Sequence, residues 1–202
     1  MTRVSLLYSR FQVFAVITAV YIVCHGVTAW IVTPVQALFL PELTVFASLV
    51  YLPHGVRVLS VWLFGWKAVL PLAFGAFLSE LMFTDAGILQ LMQPVLLESI
   101  AVGAVSALAA FGLFRLLGRP LHAGLARRME WKWLLAAGAL ASVINSLGQS
   151  VVFSGLIFPG DQLPVMAVYA AGDLIGLTAC MVALMLIFRW LRLAGENRLS
   201  QK

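Results

Sequence analysis

Between Phe11 and Trp190 the chain is a succession of apolar runs, each long enough to cross a bilayer and each bounded by charge, proline or a short polar loop. A spanning helix needs about 20 largely apolar residues. Six such runs, residues 11–32, 43–65, 68–83, 92–117, 132–158 and 164–190, account for most of the 202 residues. With 62% hydrophobic and 10% charged residues and a mean hydropathy of +1.02, the composition excludes a sizeable water-soluble domain. The expected fold class is therefore all-α: a polytopic membrane helix bundle of about six transmembrane helices, with residues 1–202 forming a single integral membrane domain. The lipid bilayer is its first partner.

Charge sets the expected orientation. Arg3 and Arg10 precede the first run, Lys67 lies between runs two and three, Arg115, Arg119, Arg127, Arg128 and Lys132 lie between or at the ends of runs four and five, and Arg189, Arg192, Arg198 and Lys202 follow the last. If all six runs cross, these positions fall on one side, and the opposite loops carry Glu42, Asp85 and Asp161 with no lysine or arginine. The positive-inside rule then puts both termini in the cytoplasm. The net charge of +5 thus belongs to loops and tails and does not point to nucleic acid. The first run reads as a retained signal-anchor helix rather than a cleaved signal peptide. Cys24 and Cys180, both inside apolar runs, read as small packing residues, and the tryptophans near run ends read as interfacial anchors. The loop at residues 118–131, basic with apolar content, is expected to lie against the anionic cytoplasmic leaflet.

The polar residues within the runs are the informative ones. An ionisable side chain in hydrocarbon costs at least about 2.5 to 3.5 kcal/mol on insertion scales, so each demands a partner or a wet cavity. His54 and Arg57 in run two, Glu80 in run three, Glu98 in run four, Asn145 and Gln149 in run five and Asp173 in run six share roughly one depth zone. His54 and Arg57 are three apart and Asn145 and Gln149 four apart, so each pair shares one helix face. We expect Arg57 to pair with Asp173 or Glu98, with His54 as a further donor, and these residues to line an outward-facing pocket. The same residues read alternatively as a buried ion network that fixes helix packing. Pro53 and Gly55 mark an expected kink or unwinding of the second helix, a feature that often accompanies a midplane site. The third run, with Pro71 and Gly75, is short and is expected to be tilted, bent or partly re-entrant. His25, near the end of run one, reads as a packing or interfacial residue. No Cys-x-x-Cys, His-x-x-x-His, Gly-rich phosphate loop or nucleophile elbow is present in the sequence, so we assign no enzymatic activity, no cofactor and no metal.

The stretch "VYLPHGVRVLSVWLFGWKAVLPLAFGAFLSE", followed by "AAGDLIGL", resembles the membrane-associated sensor (MASE-type) domains of bacterial sensor kinases and diguanylate cyclases. The matching pieces are Pro53 and Gly55, Phe64 and Gly65, Lys67, "LPLAFGAF", and Gly172, Asp173 and Gly176; the "HGVR" variant is similar to that of hexose-phosphate sensor kinases. The resemblance covers about residues 40–180. It implies a sensory module of the bacterial inner membrane, one that detects a small ligand, anionic if Arg57 holds it. With few residues after Arg189, signal output is expected to need a separate cytoplasmic or membrane signalling protein. The alternative, drawn from architecture, is the substrate-binding subunit of an energy-coupling-factor-like transporter.

Overall fold

The computed structural model describes residues 3–40, 48–84, 93–123, 131–152 and 162–199, and their regular structure is helical throughout. Helix α1, Arg3–Val27, passes through one π turn, Thr28–Val32, into α2, Thr33–Phe39. The cause of the wide turn is Pro34: it lacks an N–H and its ring crowds the carbonyl four residues back, so Thr33 N–H bonds the Thr28 carbonyl instead. The first helix therefore extends seven residues past the expected end at 32. Then follow α3, Leu52–Phe64, a 3-10 turn at Gly65–Ala68, α4, Val69–Phe83, α5, Pro94–Leu116, α6, Trp131–Val152, and α7, Gln162–Leu199. Five stretches are long and apolar enough to cross a membrane: Arg10–Phe39, Leu52–Phe83, Pro94–Leu116, Trp131–Val152 and Tyr169–Trp190.

The second of these stretches reverses at Gly65, whose φ of +59° is open to glycine and costly for other residues. Phe14 meets Phe74, Thr18 Oγ1 donates to the Pro71 carbonyl and His25 stacks on Phe83, so α1 and α4 run parallel. Tyr21 meets Arg57 and Thr28 meets Leu52, so α1 and α3 run antiparallel. Helices α3 and α4 consequently point in opposite directions about the turn. Contacts of Gln149 with Ser99 and of Phe114 with Trp133 make α5 and α6 antiparallel, and Gly138 against Leu177 together with the Ser142–Asp173 bond does the same for α6 and α7.

Helices α3 and α7 cross in parallel on glycines. A Cβ at Gly172 would strike the Ser48 carbonyl, one at Gly176 the Tyr51 carbonyl, and one at Gly55 would lie 2.6 Å from Cys180 Sγ. Gly172 and Gly176, four apart, form the small-residue face that lets backbones approach in a membrane, where packing rather than hydrophobic exclusion drives association. Around this crossing the fully buried core is Val58, Val61, Ala107, Ala110, Phe111, Ala137, Ala141 and Leu177, mostly small or branched. Large apolar residues such as Leu186, Phe188 and Leu38 point outward, as a lipid-facing surface requires. Cys24 and Cys180 are free, and the Cys180 thiol donates to the Leu52 carbonyl at 3.5 Å.

Two expectations about local shape are corrected. Pro53 and Gly55 do not break a helix: α3 begins at Leu52, with Pro53 in its first turn where a missing N–H leaves nothing unpaired. The non-helical stretch is Ser48–Tyr51, just before it. Likewise α4 shows no re-entrant break; it is one continuous helix with Pro71 in its first turn and Gly75 where Tyr21 packs, at 3.0 Å from its would-be Cβ. Glu42, Asp85, Asp161, Arg127, Arg128 and Lys202, and with them residues 124–130 of the loop expected to lie against the leaflet, lie outside the described residues.

At the end of the bundle near the Gly65 turn, the chain after α5 docks on α3: Ala123 N–H donates to the Trp62 carbonyl at 2.9 Å, and His122 packs against Phe111 at 5.1 Å. Burial, then the Arg115 guanidinium, hold the His122 imidazole below its ordinary value of 6.5. The docked loop thus favours the neutral ring, and its contribution is present above the unfolded value and lost as pH falls through and below it. Amide exchange at Ala123, corrected for the intrinsic rate, is expected to show more frequent opening at about pH 5.5 than at about pH 7.5. A pH-independent opening would contradict this account.

Candidate ligand-binding cavity

The helices border a partly open cavity of 320 Å³ lined largely by polar residues, at the lower end of the ligand-pocket range. Helix α1 and the first residue of the π turn that continues it contribute Tyr21, His25 and Thr28, spaced four and three apart and hence on one face. Arg57 comes from α3, Ala76 and Glu80 from α4, Ser99 and Ile100 from α5, Asn145, Ser146 and Gln149 from α6, and Tyr169 and Asp173 from α7. One further wall is the non-helical Ser48–Tyr51 stretch, which contributes Ser48 and Tyr51. Non-helical backbone at this depth must find partners within the protein: Leu49 N–H donates to Gln36 Oε1 at 2.6 Å, Tyr51 N–H to the Gly172 carbonyl at 3.0 Å and Leu52 N–H to Thr28 Oγ1 at 3.3 Å.

Arg57 is 7% exposed. Its Nη2 donates to Tyr21 Oη at 2.8 Å, and its Cζ lies 5.7 Å from the centroids of both the Tyr21 and Tyr51 rings. Such a desolvated cation–π contact contributes about 0.5 to 2 kcal/mol. The guanidinium lies over Gly103, where a Cβ would come within 2.8 Å of Nη2. The expected pairing with Asp173 or Glu98 is not made: among the described residues no carboxylate lies within 4.0 Å of Arg57. Glu98 stands exposed on the outer side of α5 and does not line the cavity, whereas its neighbours Ser99 and Ile100 do. A helix period fixes which residues share a face but not which helix lies opposite, and α1, carrying Tyr21, occupies that place.

Asp173 pairs elsewhere. Its Oδ2 accepts from Ser142 Oγ at 2.7 Å and lies 3.3 Å from His54 Nδ1, at an angle outside hydrogen-bond range and so an electrostatic contact. His54 Nε2 lies 3.1 Å from the Gly138 carbonyl. Both ring nitrogens therefore face acceptors, a carbonyl that can only accept and a carboxylate. His54 sits behind Asp173, wholly buried, and does not line the cavity; it positions the aspartate. Glu98 being remote, His54, Glu98 and Asp173 do not converge as ligands.

Asn145 and Gln149 do line the cavity, on one face of α6 as their spacing predicts. Asn145 Oδ1, Ser146 Oγ, Gln149 Oε1 and His25 Nδ1 are buried without a hydrogen-bond partner. A buried polar atom left unpaired costs about 1 to 3 kcal/mol, so four around one space leave a demand for something polar within it. Sequence reasoning left Tyr21, Tyr51 and Tyr169 out of the site and gave Glu80 no role there. The i, i+4, i+7 spacing of Tyr21, His25 and Thr28 carried a signal, because three polar residues on one face of a spanning helix face the bundle interior.

The fold and the cavity together define a class: a helical membrane protein with a polar, charge-bearing chamber at its centre. No family model, curated protein or solved structure matches the chain.

Proposed function

We propose that the chain is a ligand-sensing or regulatory membrane module of the MASE type, which binds a small anionic ligand in the central cavity and acts through a separate signalling protein. In this reading it crosses the bacterial inner membrane six times with both termini in the cytoplasm. The opposed directions of α3 and α4 about Gly65 support six passes, and the distribution of lysine and arginine supports the orientation. The observation that carries the binding role is Arg57: a buried guanidinium bordering a 320 Å³ space, with no carboxylate within 4.0 Å among the described residues. A purely structural arginine at this depth would be expected to carry its counter-ion with it.

The test is a thermal-shift screen of the purified protein in detergent against small carboxylates and phosphates, with Arg57→Gln in parallel. A ligand at about 100 times its Kd adds about 2.7 kcal/mol to native stability, a shift of several degrees. The expected outcome is stabilisation of the wild type and none of Arg57→Gln. Equal shifts in both proteins would remove Arg57 from the site, and no shift with any anion would sink the reading.

A further inference from the structure

The cavity wall is polarised, and its two halves want opposite things. Among the described residues, Arg57 commits one of a guanidinium's five N–H donors to protein, the bond to Tyr21. On α4, Glu80 carries the opposite charge with no cation within 4.0 Å among the described residues; its Oε2 accepts only from its neighbour Thr84. On α6, Gln149 Nε2 donates to the Ser99 carbonyl at 3.0 Å. A carbonyl can only accept, so this bond fixes the orientation of the amide and leaves Gln149 Oε1 as a free acceptor. Asn145, 8% exposed, adds a second unpartnered oxygen. Asp173 is already occupied by His54 and Ser142.

A simple anion would satisfy Arg57 and leave Glu80, Gln149 and Asn145 facing a ligand with nothing to donate. We infer that the ligand is a small zwitterion, its anionic group held by Arg57 and its protonated amine by Glu80 with the amide oxygens of Gln149 and Asn145. This rests on the binding role proposed above and names the ligand class for the same site. A volume of 320 Å³ holds about ten waters at ~30 Å³ each, which suits a molecule of amino-acid size. Sites built to pair a particular polar group reject analogues that lack it, because the site's own groups are then stranded.

The experiment measures Kd by calorimetry and melting temperature by thermal shift on the full chain in detergent. The probes are glycine, β-alanine, 4-aminobutyrate and 6-aminohexanoate, with butyrate and butylamine as single-headed controls. We expect one spacing in the amino-acid series to bind at least about ten-fold tighter than either control, and Glu80→Gln to bring that probe down to the affinity of butyrate. Butyrate binding as tightly as every amino acid would overturn the zwitterion while leaving an anion site. Butylamine matching the amino acids, or silence from all six probes, would overturn both. The wild-type ratios decide the matter even if Glu80→Gln does not fold.

Discussion

Gly176→Val is expected to destabilise the fold severely. Even alanine there would place its Cβ on the backbone carbonyl of Tyr51 and within 3.0 Å of Leu52 N. Backbone cannot swing aside as a side-chain tip can, and this backbone is pinned: Tyr51 N–H is bonded to the Gly172 carbonyl and Leu52 N–H to Thr28. The parallel crossing of α3 and α7 would have to open. Overpacking of this kind costs about 1 to 3 kcal/mol and occasionally more; we place alanine at the upper end and valine beyond it. Because Tyr51 flanks the Arg57 guanidinium, the same change should also spoil the cavity. Gly112→Ala is the control, since a Cβ there meets nothing within 4 Å and the helix gains by losing a glycine. Unfolding of both variants in detergent micelles, followed by melting temperature, checks the comparison; equal melting temperatures would refute it.

Breaking the His54–Asp173 pair from one side is expected to have the second large effect. His54 is 0% exposed and Asp173 2%, so removing either partner strands the other out of reach of water. Leaving a buried polar group without its partner costs about 1 to 3 kcal/mol, and more where the stranded group is a carboxylate. Asp173→Leu leaves His54 Nδ1 with no acceptor and Ser142 Oγ with no carboxylate; His54→Leu leaves the carboxylate with Ser142 alone. The double variant removes both polar groups together and should be less damaged than the sum of the two singles, with a coupling of about 1 to 3 kcal/mol. Additivity in that cycle would mean that the two side chains are merely neighbours. Asp173→Asn, which keeps the shape and a hydrogen-bonding partner for Ser142, should fall between the wild type and Asp173→Leu.

These two sites separate what could be read from the chain and what could not. The apolar runs located the spanning helices to within a few residues at most ends, because the need to satisfy every backbone group in lipid leaves a hydrophobic run little choice but to become a helix. Helical spacing likewise assigned Asn145 and Gln149 to one face, and the cost of polarity in hydrocarbon marked Arg57 and Asp173 as residues of the interior. Glu98 shows the limit of that rule: five residues into α5, it stands exposed while Ser99 and Ile100 face the cavity. A charge near a run's end satisfies the sequence pattern equally well on either side.

What the sequence by itself determined is the helical membrane class, the reversal point that Gly65 permits and the set of polar residues that the bundle must accommodate. Those follow from local physics, the hydrogen bonding of the backbone, the conformational freedom of glycine and the expense of charge in lipid. Only the tertiary structure decided the partners: Tyr21 rather than an acid against Arg57, His54 and Ser142 on Asp173, and the cavity between them with its unpaired oxygens. Partnership depends on which helix lies against which, and that is set by the close backbone approach at Gly172 and Gly176, a matter of fit between distant segments that no single helix encodes.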